Sequence, residues 1–124
     1  MPNSIKAILK KDAQYAVNGR LWIEFAGERV FGPGPVELLM HIEKTGSLSQ
    51  AAKNMAMSYK KAWNILAALN TKFAKPLVLM QTGGKHGGGS VLTPEAKALM
   101  AYHQRLRSRF MRFMEQETRK LLRS

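Results

Sequence analysis

The sequence predicts a mainly helical α+β domain that combines three short helices, two β-hairpins and one long C-terminal helix. Apolar residues recur at helical spacing in three segments between residues 36 and 73, and β-favouring residues flank glycine-containing turns at two places. A Thr-Pro-Glu sequence at residues 93–95 begins the last helix. This order predicts a winged helix-turn-helix with a β-hairpin wing, a short N-terminal hairpin and a long C-terminal dimerisation helix. We expect an N-terminal arm over residues 1–17, the winged helix-turn-helix domain over 18–93 and the dimerisation helix over 94–124.

The first hairpin is predicted where RLWIEF (residues 20–25) and RVF (residues 29–31) flank the tripeptide AGE. GPGP then ends the second strand and leaves Pro35 at the first position of a helix, where a missing N–H breaks no hydrogen bond. We expect this first helix to run from Val36 to about Thr45 and to end at Gly46. Its core face is formed by Leu38, Leu39 and Ile42.

Two further helices follow with very short connections. The second begins after a capping serine, Ser47 or Ser49, and the third begins after Ser58 and runs to about Lys72. Spacings of i, i+3, i+4 and i+7 give the second helix an apolar face of Leu48, Ala51, Ala52 and Met55. The core stripe of the third helix is Ala62, Leu66, Leu69 and Phe73. Two helices joined by so short a turn form the helix-turn-helix unit.

The outer face of the third helix is predicted to enter a groove. Its residues are Lys60, Asn64, Ala67 and Thr71, flanked by Lys61 and Ala68. The chain has a net charge of +12, and from Lys44 through Pro94 it contains seven lysines and no Asp or Glu. A solvated lysine-rich surface would usually have carboxylates as partners within the chain. Because these are absent here, the pattern favours a polyanion as the binding partner.

A glycine-rich loop, TGGKHGGGS at residues 82–90, joins the strand-like segments LVLMQ (77–81) and Ser90 to Leu92. It lacks the spacing of a nucleotide-phosphate loop, because Leu79 stands where that loop needs a glycine. As the tip of a wing, it would bring backbone N–H groups close to phosphates while Lys85 supplies a positive charge. A disordered linker is the alternative interpretation of the same glycines. The strand-like flanks and short spacing favour the wing.

The C-terminal helix is expected to begin after Thr93 and to run to about Leu122. Alternating steps of four and three residues give it a coiled-coil-like stripe of Leu99, His103, Leu106, Phe110 and Phe113. Half of this stripe could pack on its own domain. A helix of about thirty residues with bulky aromatic side chains is nevertheless longer than so small a domain covers. The stripe therefore predicts a two-fold homodimer, with His103 as the polar residue of the seam.

Composition excludes several classes of protein. The 124-residue chain has no cysteine, so that disulfides, thiol nucleophiles and Cys-type zinc sites are impossible. Its three histidines show no ligand spacing, and no nucleophile, base and orienting acid recur together. We therefore expect no metal, no catalytic residue and no enzyme. Neither a targeting segment nor a membrane-spanning run is predicted, which indicates a cytoplasmic protein without a membrane partner.

Several motifs resemble one family. SYKKAW (58–63), LNTKF (69–73) and TGGKHGGGSVLTPEA (82–96) are similar to the DNA-binding domain of the molybdate-responsive transcriptional regulators, the ModE family, which has a LysR-type winged helix. GRLW near Gly19 and GPGPVELLMHIEKTGSLSQAA extend the likeness to about residues 18–102. The resemblance implies a homodimer that binds double-stranded operator DNA through paired third helices and wings. It implies DNA contacts at Ser47, Ser49, Ser58, Tyr59, Lys60, Lys61, Asn64, Thr82, Gly83, Gly84 and Lys85.

Within that implied interface, Lys60 and Asn64 are the best candidates to read base edges, and the other lysines would contact phosphates. Tyr59 and Trp63 are expected near the core boundary as partly buried packing residues, although Tyr59 could also donate a hydrogen bond to a phosphate. Full-length members carry a C-terminal oxyanion-binding domain, so this chain is expected to correspond to the DNA-binding part. No cofactor is expected in it, and a response to molybdate stays open.

A nonspecific architectural DNA- or RNA-binding protein is the alternative function, since it would show the same positive charge. Such a protein should bind random duplexes or single strands as tightly as any operator.

Overall fold

The computed structural model describes residues 4–81 and 89–123. Its helices are α1 (Ile5–Ile8), α2 (Pro33–Thr45), α3 (Leu48–Asn54), α4 (Tyr59–Lys72) and α5 (Pro94–Arg123). Its strands are β1 (Ile23–Phe25), β2 (Glu28–Phe31), β3 (Val78–Gln81) and β4 (Gly89–Leu92), which pair as the antiparallel hairpins β1–β2 and β3–β4. The predicted winged helix-turn-helix is confirmed. The predicted three short helices are α2, α3 and α4, whereas α1 lies in the segment predicted only as an arm.

The described residues form two compact units. One is Trp22–His103, and the other combines the described residues up to Leu21 with those from Gln104 onward. The first turns of α5 belong to the helix-turn-helix unit, because Ala96 is fully buried and Leu99 and Met100 pack against the same core. The predicted domain boundary at residue 94 differs from this division, because it places the first turns of α5 in the dimerisation helix.

The N-terminal hairpin is shorter than the predicted strands and turns through two residues. Ala26 and Gly27, with φ of 52° and 84°, join β1 to β2 in a turn whose two positive φ angles match the twist of the paired strands. The register shifts between Ile23 and Glu24, which limits regular pairing to the end of the hairpin.

Helix α2 begins at Pro33, so the prediction that Pro35 is its first residue is wrong. The first four N–H groups of a helix have no acceptor within it, and both prolines therefore fit in the first turn without breaking a hydrogen bond. At the other end, Gly46 caps the helix in the left-handed conformation with φ of 69°, and its N–H donates to the Ile42 carbonyl at 2.7 Å.

Replacing Gly46 by alanine should lower the free energy of unfolding by about 1 kcal/mol, because an L side chain is strained at this φ. A Cβ at Gly46 would meet no atom within 4 Å, and the same is true at Gly34, which has no left-handed φ. Gly34→Ala is therefore the matched control, and urea denaturation should show no loss for it. Equal losses in the two variants would contradict the conformational explanation.

The core of the unit 22–103 is formed where α2, α3 and α4 meet β2 and the wing. All three predicted core faces are confirmed, since Leu38, Leu39, Ile42, Leu48, Ala51, Ala52, Ala62, Leu66 and Leu69 are buried. Phe31 at the end of β2 is also fully buried, and its ring makes edge contacts with Phe73 at 6.2 Å and His103 at 5.5 Å between centroids. No helix in the described part of the chain has both the length and the apolar character needed to cross a membrane.

The contact with Phe31 corrects the expectation for His103. Only 3% of His103 is exposed, so its ring lies within the chain's own fold and has almost no surface to offer to a second copy. Leu99 likewise packs against the core of this unit. The predicted stripe thus divides: Leu106 and Phe110 are partly buried, and Phe113 is exposed.

In the other unit, the segment before β1 packs on the second half of α5. The Val17 N–H donates to Thr118 Oγ1 at 2.8 Å, and that hydroxyl donates to the Met114 carbonyl at 2.8 Å. A Cβ at Gly19 would lie 3.4 Å from the ring of Phe110, and Met114 is buried. The predicted arm is therefore attached to α5 at its C-terminal end, through Val17.

Candidate nucleic-acid interface

Helix α4 presents a polar face because its opposite face is fixed in the core. Ser58 caps the helix, and its hydroxyl accepts a hydrogen bond from the Lys61 N–H at 3.1 Å, as predicted. Burial of Leu66 on one side leaves Lys60, Lys61 and Asn64 exposed on the other. The structure therefore brings these predicted contact residues together on one accessible surface.

The start of α3 distinguishes between the two predicted capping serines. Ser47 is the cap, since its hydroxyl accepts from the Gln50 N–H at 3.1 Å, while Ser49 is exposed in the first turn. The turn to α4 passes through Ala56, which has a positive φ of 53°. Both serines lie at the N-terminal end of α3, where free N–H groups favour an anion.

The two aromatic residues of α4 are more exposed than predicted. Tyr59 is 53% exposed and Trp63 is 45% exposed, so the expectation that they are partly buried packing residues is wrong. At about 100° per residue, Trp63 lies roughly a quarter turn from the buried Ala62 and points away from the narrow core stripe. Both rings are thus accessible on a flank of the helix next to its polar face.

The predicted wing is present as β3 and β4. These strands pair in a regular antiparallel register from Val78 opposite Leu92 to Gln81 opposite Gly89. The hairpin favours the wing over a linker for this segment. The predicted contact residues of its tip, Thr82, Gly83, Gly84 and Lys85, lie outside the described residues.

Asn70, which was not among the predicted site residues, connects α4 to the wing. The Asn70 side chain accepts hydrogen bonds from the Leu77 N–H at 2.9 Å and the Val78 N–H at 3.2 Å, and it donates to the Val78 carbonyl at 3.0 Å. One side chain thus bonds three backbone groups at the start of β3. The available signal was an asparagine next to the core residue Leu69, at a helix-interior position where this residue type is unfavourable.

Two further contacts fix the base of the wing. Thr93 caps α5 by accepting from the Ala96 N–H at 3.1 Å, and its hydroxyl lies 2.9 Å from the Pro76 carbonyl, to which it donates. Within β4 itself, the Ser90 N–H donates to the Gly46 carbonyl at 2.9 Å. The wing is therefore tied to α2, α4 and α5 within one unit.

The exposed face of α4 is positively charged through Lys60 and Lys61. Among the described residues, Lys72 forms an ion pair with Glu28 and Lys120 forms one with Glu117, while His41 Nε2 lies 3.7 Å from a carboxylate oxygen of Glu37. None of these pairs includes Lys60 or Lys61, which leaves their charges available to a phosphate or a base edge.

Comparison with known proteins identifies similar sequences. A family model described as bacterial regulatory helix-turn-helix protein, lysR family, matches residues 35–97. The transcriptional regulator ModE of Haemophilus influenzae is 46% identical over 74 residues, which are 60% of this chain and 29% of that protein. The molybdenum-pterin-binding protein MopB of Rhodobacter capsulatus is 46% identical over 79 residues, 64% of this chain and 29% of that protein.

A third relative, the DNA-binding transcriptional dual regulator ModE of Escherichia coli, is 42% identical over 74 residues, 60% of this chain and 28% of that protein. The chain spans less than a third of the length of each of these relatives. The matched region includes α2 from Pro35 onward, α3, α4 and the strands of the wing.

Proposed function

Because the chain belongs to the lysR family of bacterial regulatory helix-turn-helix proteins, we propose that it binds a specific operator as a homodimer and thereby regulates transcription. One α4 would lie in the major groove of each half-site, with the wing against the adjoining backbone. The observation that carries this proposal is the outer face of α4, where Lys60 and Asn64 are exposed opposite the buried stripe. The stretch from Lys44 through Pro94 contains no carboxylate that would repel DNA.

The proposed contacts divide into base reading and phosphate binding. An asparagine amide can pair with both polar atoms of an adenine edge, and a lysine can bind the acceptors of guanine, so Asn64 and Lys60 would read sequence. Lys61, Ser58 and the N-terminal end of α3 would hold phosphates and set the register of α4 in the groove. Lys85 would add a phosphate contact from the wing.

Dimerisation through the C-terminal half of α5 is part of the same proposal. Phe113 is 53% exposed, and Leu106 and Phe110 are partly buried beside it, which provides an apolar strip that a second copy can cover. A two-fold dimer would place two recognition helices on half-sites about 34 Å apart, one turn of B-DNA.

The proposal is tested by fluorescence anisotropy with a promoter fragment from upstream of the chain's own gene or of neighbouring transport genes. We expect a preference of at least about 10³ over a scrambled duplex of equal length, the range of specific regulators. Sedimentation of the complex should show two chains for each duplex. Equal binding to several promoter fragments, random duplex and single strands would instead support the nonspecific alternative.

The same titration is run with and without molybdate, because the names of the Rhodobacter capsulatus relatives associate them with molybdenum-pterin. A change in operator affinity would identify an effector of this chain, and the operator preference itself is expected in either condition.

Alanine substitutions at Asn64 and Lys60 should each reduce the preference for the operator by about 1–3 kcal/mol, while binding to the scrambled duplex changes little. The reason is that a base-edge contact contributes only at the cognate site. Lys97→Ala removes one exposed lysine from α5 and serves as the control, with a much smaller change in preference expected. Equal losses on operator and scrambled DNA would assign α4 a purely electrostatic role.

A further inference from the structure

An arginine stripe runs along the second half of α5. Its arginines follow one another at steps of four, three, seven and four residues, and Gln116 fills the gap in the series. The members of this stripe are Arg105, Arg109, Arg112, Gln116, Arg119 and Arg123. All are helical and all are exposed. Over 18 residues at about 1.5 Å each, the stripe is about 27 Å long.

The stripe is a separate face of the helix. At about 100° per residue, the centre of the stripe lies on the opposite side of α5 from Met114, the residue on which the N-terminal segment packs. Phe110 and the apolar strip lie about a third of a turn away from that centre. The described residues of the chain therefore leave the stripe exposed, and its centre faces away from Phe110.

The arginines of the stripe are not paired with carboxylates in the described part of the chain. The acidic residues of this half of α5 flank the stripe. Glu117 pairs with Lys120 at 3.0 Å. Glu115 borders the stripe, three residues after Arg112 and four before Arg119, yet it belongs to none of the ion pairs of the described residues. Like charges at i, i+4 repel one another, so such a stripe lowers the stability of the isolated helix and fits best against an anionic partner.

We infer that this arginine stripe binds the phosphate backbone of duplex DNA outside the segment read by α4. Guanidinium groups pair closely with phosphates, and a straight row about 27 Å long matches most of one 34 Å turn of duplex. Contacts to phosphates carry no sequence information, so the effect of the stripe should be on affinity, salt dependence and footprint length. The inference rests on the proposed function, since it assigns the chain a longer DNA contact than the helix-turn-helix alone would make.

The test uses the full chain and two promoter duplexes, one limited to the operator and one extended by about one helical turn on each side. Arg105→Gln, Arg109→Gln and Arg112→Gln are combined in one variant. We expect at least about tenfold weaker binding to the long duplex in about 0.1 M salt. The slope of log affinity against log salt should become shallower by about 0.9 for each phosphate that the variant no longer neutralises. Binding to the short duplex should be unchanged.

Arg107 supplies the matched control, because it is an exposed arginine of the same helix that lies off the stripe. Arg109→Gln and Arg107→Gln remove the same charge, and only the first should weaken binding to the long duplex. Equal losses for the two variants, or equal losses of the triple variant on short and long duplexes, would overturn the inference by showing a general charge effect. Unchanged binding of the triple variant to both duplexes would also overturn it and would point to a partner other than DNA.

Hydroxyl-radical footprinting of the unmodified protein gives an answer that does not depend on any variant folding. Protection beyond the operator is expected, and a footprint that ends at the operator would reject the arginine contact. If the protein prefers the operator in the short duplex but binds the extended duplex no more tightly, this inference fails and the proposed function stands. Absence of any operator preference would instead be a failure of the proposed function.

Discussion

Phe31→Ala is expected to lower the free energy of unfolding by about 3–5 kcal/mol, the usual loss for a large aromatic side chain deleted from a core. Phe31 is fully buried, and its ring contacts the edges of Phe73 and His103 in T-shaped geometry. Removing the ring would therefore leave a cavity where strand β2, the end of α4 and the beginning of α5 meet. Urea denaturation followed by circular dichroism measures this loss.

The same hairpin provides the control for that measurement. Phe25 lies in β1, is 53% exposed and has the same side chain, so that Phe25→Ala should change the free energy of unfolding by no more than about 0.5 kcal/mol. If both substitutions had similar effects, loss of strand propensity rather than loss of core packing would explain them. The difference between the two variants thus isolates the contribution of burial.

The burial of Phe31 illustrates which parts of the fold follow from the sequence. Periodicity predicted the buried faces of α2, α3 and α4, because one amphipathic helix can place its apolar side only toward the core. It could not predict the contact between Phe31 and His103, which joins residues 72 positions apart through tertiary packing. A heptad-like stripe describes which side of α5 is apolar, but it does not say whether the chain itself or a second copy covers that side.

The first residue of α2 and the exposure of the aromatic residues of α4 also could not be predicted from periodicity alone. Either proline of GPGP fits the first turn of a helix, so the sequence alone does not say that α2 begins at Pro33 rather than Pro35. Tyr59 and Trp63 are apolar enough for a core, yet the core stripe of α4 is narrow and leaves them exposed. The polar face of α4 was predictable because it depends on helical geometry alone, whereas the orientation of the wing depends on side-chain contacts across 7–8 residues of sequence.

Those contacts centre on Asn70, and Asn70→Ala should lower the free energy of unfolding by about 3 kcal/mol. The substitution removes three hydrogen bonds to Leu77 and Val78, which are 2% and 1% exposed, and each buried backbone group left without its partner costs about 1 kcal/mol or more. Asn70→Asp is the informative second variant. It keeps an acceptor for the two N–H groups but loses the amide donor to the Val78 carbonyl, so it should be less stable than the parent.

Asn64 and Asn70 form a natural pair of variants, since both are asparagines of α4 and they differ in what they contact. Asn64→Ala should leave the free energy of unfolding nearly unchanged, because its side chain is exposed and makes no hydrogen bond among the described residues, while the operator preference falls. Asn70→Ala should lower stability and weaken binding to operator and scrambled DNA alike, because β3 loses its attachment to α4 and we propose that the wing contacts phosphates rather than bases. A variant of Asn70 that kept full stability would show that the three hydrogen bonds do not hold the wing. If Asn64→Ala lowers only the operator preference and Asn70→Ala lowers stability, then α4 has two roles at positions six residues apart. Its outer face reads the DNA sequence, and its flank holds the wing in place.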